Sequence, residues 1–207
     1  AAEADVAPAD HLGDGDDQIF DCVIVSAGPA GLSAGLNLVR ARRSVLMLDS
    51  NRPRHSATLI SHGFLSRDGV SPLELRKLGR EEFERYPEAE FHQALVSSIE
   101  VARSPSGREF VVRSQGIRGS ADRTARAHTV LIATGLLETL PALPSIRAFY
   151  GTSLHSCIEC DGYEKLDAPL ALIGETDDLA DWGLLLSHWS SDLIVFTNGS
   201  SVVTEGD

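Results

Sequence analysis

Apolar residues gather in short unbroken runs separated by helical repeats, and that rhythm sets the expected elements. Phe20 to Val25, with the run Cys22-Val23-Ile24-Val25, predicts a parallel strand covered on both faces. Pro29 at a first-turn position and Leu32, Leu36 and Val39 at helical spacing predict a helix from Pro29 to about Arg42. Ser44 to Leu48 reads as a second buried strand ending at Asp49, which completes a strand-helix-strand (βαβ) unit. Residues 51–70 show no clean period and read as a loop. Ser71-Pro72-Leu73-Glu74 combines an N-cap, an N1 proline and an N3 glutamate, so a helix should run from there to about Arg85, where Tyr86-Pro87 stops it. The stretches 94–101 and 109–114 suggest a hairpin around Pro105-Ser106-Gly107, and Thr129 to Ala133 a further buried strand stopped by Thr134-Gly135. Leu137 to Pro144 is the expected domain boundary. Beyond it, Pro169–Gly174, Asp178–Trp189 and Leu193–Phe196 form a second strand-helix-strand unit. The expectation is an α/β protein with domains at 18–140 and 141–207.

Charge narrows the classes of partner. Eighteen Lys and Arg face 30 Asp and Glu, a formal net charge of −12, which disfavours nucleic acid and anionic membrane. Residues 1–17 hold six acids and no Lys or Arg among Ala, Pro and Gly, and are expected to be a disordered acidic tail; an acidic docking arm is the functional alternative. No apolar run approaches the roughly 18 residues of a membrane span, and no signal peptide is visible. Three cysteines, one pair and one singleton, fit a cytoplasmic redox motif better than a disulfide scaffold. Cys22, inside an apolar run, reads as a buried small hydrophobe.

Two motifs carry chemistry. Ser26-Ala27-Gly28-Pro29-Ala30-Gly31, between strand and helix, has the pattern of a dinucleotide-binding turn, which needs bare backbone N–H groups at a helix N-terminus. Gly28 is where a Cβ would block a pyrophosphate, Gly31 lets helix and strand pack closely, and Asp49 stands where an acid hydrogen-bonds a ribose hydroxyl. Ser26 replaces the first glycine, and a left-handed conformation there would cost on the order of 1 kcal/mol. The bland reading is a turn whose glycines serve packing alone. Cys157-Ile158-Glu159-Cys160-Asp161-Gly162 is the second motif: two thiols at this spacing can close a small disulfide, and a neighbouring carboxyl can move their protons. Glu159 between them should disfavour a thiolate. A zinc knuckle would need four ligands and only His155 lies close by; two unrelated structural cysteines remain the other alternative.

Together these residues resemble the thioredoxin reductase family of FAD-dependent disulfide oxidoreductases, from about Asp21 to Gly199. The resemblance rests on Val23–Leu32, on Ser61-His62-Gly63-Phe64-Leu65-Ser66-Arg67-Asp68-Gly69, on Leu131-Ile132-Ala133-Thr134-Gly135 and on Cys157–Glu164. It implies a Rossmann-like FAD-binding domain followed by a second, nicotinamide-type Rossmann-like domain whose C-terminal return segment is missing. It further implies that Ser26, Gly28, Pro29, Ala30 and Gly31 hold the FAD pyrophosphate and Asp49 the ribose. Ser50, Arg52 and His62 would lie along the cofactor, Leu95 and Val96 near adenine, and Thr134 and Gly135 would close the site. Cys160 would face the flavin, Cys157 would exchange with the substrate, and Asp161 would act as acid and base, with no metal. The implied partner is a thioredoxin-like protein or a small dithiol or disulfide, and the implied assembly a homodimer. Family members carry a second Gly-rich turn for NADPH or NADH, but this chain has Glu175-Thr176-Asp177-Asp178-Leu179 there, acids where phosphate would bind, and Thr197-Asn198-Gly199 after the next strand, without the arginines that family members use on the 2′-phosphate. A dithiol oxidase using oxygen without nicotinamide, and a flavin-binding sensor without turnover, are therefore the competing readings.

Overall fold

The computed structural model describes residues 18–54, 58–105 and 107–200; the acidic segment 1–17 and Ser106 of the hairpin turn lie outside them. The chain divides into two compact units. The first takes the described residues up to Asn51 together with Gly79–Thr134, and the second takes Arg52–Leu78 with the described residues from Gly135 onward.

Five strands and one helix build the first unit: β1 (Ile19–Val25), α1 (Pro29–Arg40), β2 (Val45–Asp49), β3 (Ala89–Ser104), β4 (Gly107–Gly116) and β5 (Arg123–Ile132). β1 pairs in parallel with β2 and β5, β2 pairs in parallel with β3, and β4 pairs antiparallel with β3 and β5, so the ring closes on itself. Closure depends on two long strands. β3 gives residues 89–93 to β2 and residues 94–104 to β4, while β5 gives 123–127 to β4 and 126–132 to β1. The expected hairpin and terminal strand are thus only parts of these strands. Their other halves escaped notice because Ala125 and Ala127 carry little strand signal, although both are buried.

The unbroken apolar runs follow from burial on two sides. Val23, Leu46 and Leu48 face Ala94, Val112, Ala125 and Ala127 inside the ring. Cys22, Ile24, Val45 and Met47 point the other way, onto Leu32 and Val39 of α1 and onto Phe83. Phe83 belongs to α2 (Pro72–Glu84), whose Ser71 Oγ accepts the Glu74 N–H at 3.1 Å as the expected N-cap.

Short elements make up the second unit: α3 (Ile146–Phe149), α4 (Ile158–Asp161), a 3₁₀ turn (Tyr163–Lys165), β6 (Leu170–Ile173), α5 (Leu179–Leu186) and β7 (Leu193–Phe196). β6 and β7 pair in parallel from Leu170↔Leu193 to Ile173↔Phe196, so the second strand-helix-strand unit forms as expected. α5 is shorter than the pattern suggested, because the chain tightens beyond Leu186, where the Trp189 N–H returns to the Leu186 carbonyl at 2.9 Å. Among the described residues no helix is long and apolar enough to cross a membrane.

Candidate functional site

The glycine turn after β1 is built by hydrogen bonds from both sides. The Ser26 N–H donates to the Leu48 carbonyl at 2.7 Å, and the Ala27 N–H donates to Asp49 Oδ1 at 3.0 Å. Asp49 Oδ2 accepts from the Asn51 N–H at 3.2 Å, and Ser26 Oγ lies 3.5 Å from Oδ1. Buried Asp49 therefore ties the end of β2 to the turn. Ser26 adopts φ 85°, the left-handed conformation that the missing glycine would have taken freely, and the surrounding hydrogen bonds hold it there.

The two remaining glycines differ in kind. A Cβ on Gly31 would sit 2.1 Å from the Ser26 carbonyl oxygen, so this glycine serves the helix–turn contact. A Cβ on Gly28 would meet nothing within 4 Å. Gly28 is the N-cap of α1, no side chain caps that terminus, and no acid lies in the helix's first turn. An open approach to an uncapped helix N-terminus fits the pyrophosphate of a dinucleotide.

Of the other expected cofactor residues, Ser50, Leu95, Val96 and Thr134 lie in the first unit, and Arg52, His62 and Gly135 in the second. Leu95 and Thr134 are exposed, whereas Val96 packs against the ring's core at the point where β3 shifts register. Arg52 is exposed. His62 stands between two acids, with Nδ1 3.4 Å from Asp68 and Nε2 3.5 Å from Glu164.

Cys157 and Cys160 are joined by a disulfide, with Cα atoms 5.3 Å apart. Cys157 is the N-cap of the single-turn α4, Cys160 lies within that turn, and Asp161 ends it. Glu159 Oε2 comes within 3.6 Å of Cys157 Sγ. The segment leading in is anchored through Glu138, which accepts from Tyr150 Oη, accepts from Ser156 Oγ at 2.7 Å, and pairs with Arg54 Nε at 2.9 Å. A cavity of about 680 Å³ opens beside the disulfide; Cys157, His155, Asp161 and Lys165 contribute to it, and Leu170, Leu179 and Trp182 are among its apolar walls. Its volume lies in the range of small-molecule sites. Reading the sequence missed two members of this neighbourhood. Glu138 lies 19 residues from Cys157 with no motif to mark it, and His155 drew notice only as a zinc ligand, although its Nδ1 lies 3.1 Å from Asp161 Oδ2.

The turn between β6 and α5 has the same topology as the Gly28 turn and opposite chemistry. Asp178 stands at the N-cap position of α5 without a side-chain cap hydrogen bond, and hydrogen bonds from Thr176 first and Trp182 second hold its carboxyl below the usual range. Glu175 is engaged by Asn198 Nδ2 at 2.6 Å. A negative charge at this helix N-terminus opposes a phosphate there, in contrast to the turn after β1.

The family model described as pyridine nucleotide-disulphide oxidoreductase matches residues 20–175. A "Probable thioredoxin reductase" of Arthroderma benhamiae is 31% identical over 189 residues, which make up 90% of this chain and 45% of that protein. The crystal structure of HlmI superposes with a TM-score of 0.83 at 36% identity, over 94% of this chain and 59% of that one. An oxidoreductase from Agrobacterium tumefaciens gives 0.80 at 30% identity, over 90% and 59%. The chain thus spans between about half and three fifths of the length of these relatives.

Proposed function

The chain belongs to the thioredoxin reductase-like pyridine nucleotide-disulphide oxidoreductases, and from that premise we propose that it exchanges two electrons between FAD and a disulfide or dithiol through Cys157 and Cys160. The observation that carries this reading is the disulfide itself, placed beside a cavity to which Cys157 contributes. When bound, FAD supplies a two-electron carrier for the disulfide. Gly28, Pro29, Ala30 and Gly31 would hold its pyrophosphate and Asp49 its ribose, with Ser26, Ser50, Leu95, Val96 and Thr134 the further candidates in the first unit.

Cys157, the cysteine that lines the cavity, exchanges with the substrate, and Cys160 serves the flavin side. Asp161, next to Cys160 in the chain, gives and takes the thiol proton. A thioredoxin-like protein or a small dithiol is the substrate class, and the cytoplasm is the compartment. The acidic turn at Glu175 to Asp178 leaves the route of electrons from a nicotinamide outside this reading.

Anaerobic titration of the FAD-loaded protein with dithiothreitol tests it. The wild type should bleach, while Cys160→Ser should stay yellow and keep its FAD. Bleaching of that variant at the wild-type rate would overturn the assignment of the cysteines. NADPH added in place of the dithiol shows whether the acidic turn excludes a nicotinamide donor.

A further inference from the structure

The helix that carries the cysteine pair cannot hold itself in place. α4 has four residues, none of them buried, and its N-cap Cys157 makes no side-chain capping hydrogen bond. A helix this short is unstable alone, because nucleation orders several residues for one hydrogen bond. The chain just before it is far better tied. Between Tyr150 and Leu154 the backbone doubles back: the Gly151 N–H donates to the Leu154 carbonyl at 2.9 Å, and the N–H groups of Thr152, Ser153 and Leu154 donate to the Phe149 carbonyl at 3.1, 3.0 and 2.9 Å. Glu138 closes the two ends of this turn. Its Oε2 accepts from Tyr150 Oη, and its Oε1 accepts from Ser156 Oγ at 2.7 Å. Those two hydroxyl oxygens stand 3.2 Å apart, and Arg54 Nε reaches Oε1 at 2.9 Å. Ser156 directly precedes Cys157, and all of these residues belong to the second unit.

Resting on the cysteine reading above, we propose that Glu138 is the positioning residue of the redox pair: through Ser156 it fixes where Cys157 Sγ stands relative to Cys160 Sγ. Glu138 acts on the pair only through this link and takes no part in bond making. Its effect is on closure. Dithiothreitol opens the pair in two exchanges: one of its thiolates displaces Cys160 from Cys157, and the second then displaces Cys157. The protein gains two thiols, and dithiothreitol leaves as its cyclic disulfide with both of its thiol hydrogens given up. The reverse reaction ends with one protein thiolate reaching the other sulfur within the chain, so it depends on the effective concentration of the two cysteines for each other. An anchored Ser156 limits the positions open to Cys157 and so raises that concentration.

The test equilibrates the full chain anaerobically with mixtures of reduced and oxidised dithiothreitol and counts alkylated thiols after acid quench, a readout set by the dithiothreitol ratio whatever the state of the flavin. Ser156→Ala removes the link alone, at an exposed position. It should shift the equilibrium towards the open dithiol by roughly 3- to 10-fold, the net worth of about one hydrogen bond, with a Tm close to that of the wild type. Glu138→Ala should shift it at least as far, and the double variant no further than Glu138→Ala, because Ser156 then has nothing left to lose. Should Glu138→Ala fail to fold, Ser156→Ala still decides the matter. A wild-type equilibrium constant in Ser156→Ala, or shifts that multiply in the double variant, overturns the anchor and leaves the cysteine assignment standing. A wild-type disulfide that no dithiol opens overturns the assignment itself.

Discussion

Gly28→Val separates a cradle for a ligand from a glycine needed by the fold. Gly28 has φ −74° and ψ 177°, extended backbone open to any residue, and an added Cβ would meet nothing within 4 Å. The fold should therefore tolerate valine. Losing glycine at an N-cap costs up to about 1 kcal/mol, and the smaller freedom of the unfolded chain returns about 0.4–1 kcal/mol. The FAD-free Tm should accordingly move by no more than about 4 °C. On the proposed placement of FAD, binding should respond differently, because the valine methyls would enter the space given to the pyrophosphate. Overpacking of about 1–3 kcal/mol corresponds to a roughly 5- to 150-fold weaker Kd. Gly31→Ala is the control: its Cβ would lie 2.1 Å from a backbone oxygen, so the turn must shift and the FAD-free protein should lose about 1–3 kcal/mol or more. Titration of FAD into the flavin-free proteins by fluorescence quenching, with Tm from circular dichroism, reads both quantities. Wild-type affinity in Gly28→Val would refute the cradle. A Tm loss in Gly28→Val as large as that of Gly31→Ala would show that the glycine serves packing instead.

Two further outcomes follow from the first unit. The Asp21 carboxyl is held below its usual range, chiefly by the Ser44 N–H at 2.8 Å and, against the cost of burial, by the Ser44 hydroxyl and the charges of Arg43 and His128. The folded state then binds fewer protons than the unfolded one as pH falls from about 4 through the folded value; stability is lost across that window, and Asp21→Asn should flatten this part of a urea-midpoint profile against pH. Burial pushes the Cys22 thiol up, so after reduction iodoacetamide at about pH 8 should modify Cys157 and Cys160 and spare Cys22 until the protein is unfolded, as peptide mass mapping would show.

The first strand-helix-strand unit was legible because its physics is local. Val23 and Ile24 face opposite cores, so the run is apolar throughout, and Gly28 and Gly31 fall where helix and turn need them. Even the departure at Ser26 could be read as a residue forced to positive φ, and its φ is 85°. The first halves of β3 and β5 were not legible, since they alternate small or polar residues whose burial arises only when distant strands close the ring. The one-turn α4 is too short to have a period. The approach of His155 to Asp161 across that turn depends on backbone geometry that spacing alone does not supply.

Two turns of equal topology with unequal chemistry locate where discrimination lies in this chain. Each helix N-terminus offers the same partial positive charge, so the side chains around it decide whether phosphate can approach. At α1 the cap is a glycine with open space before it and no acid in the first turn. At α5 the cap is Asp178, kept ionised by Thr176 and Trp182, with Asp181 in the following turn and Glu175 before it. Carboxylates gathered at this terminus oppose its partial positive charge. The first turn is thus the one of the two whose surroundings suit a phosphate. The cavity beside Cys157 mixes apolar walls of Leu170, Leu179 and Trp182 with the polar side chains of His155, Asp161 and Lys165.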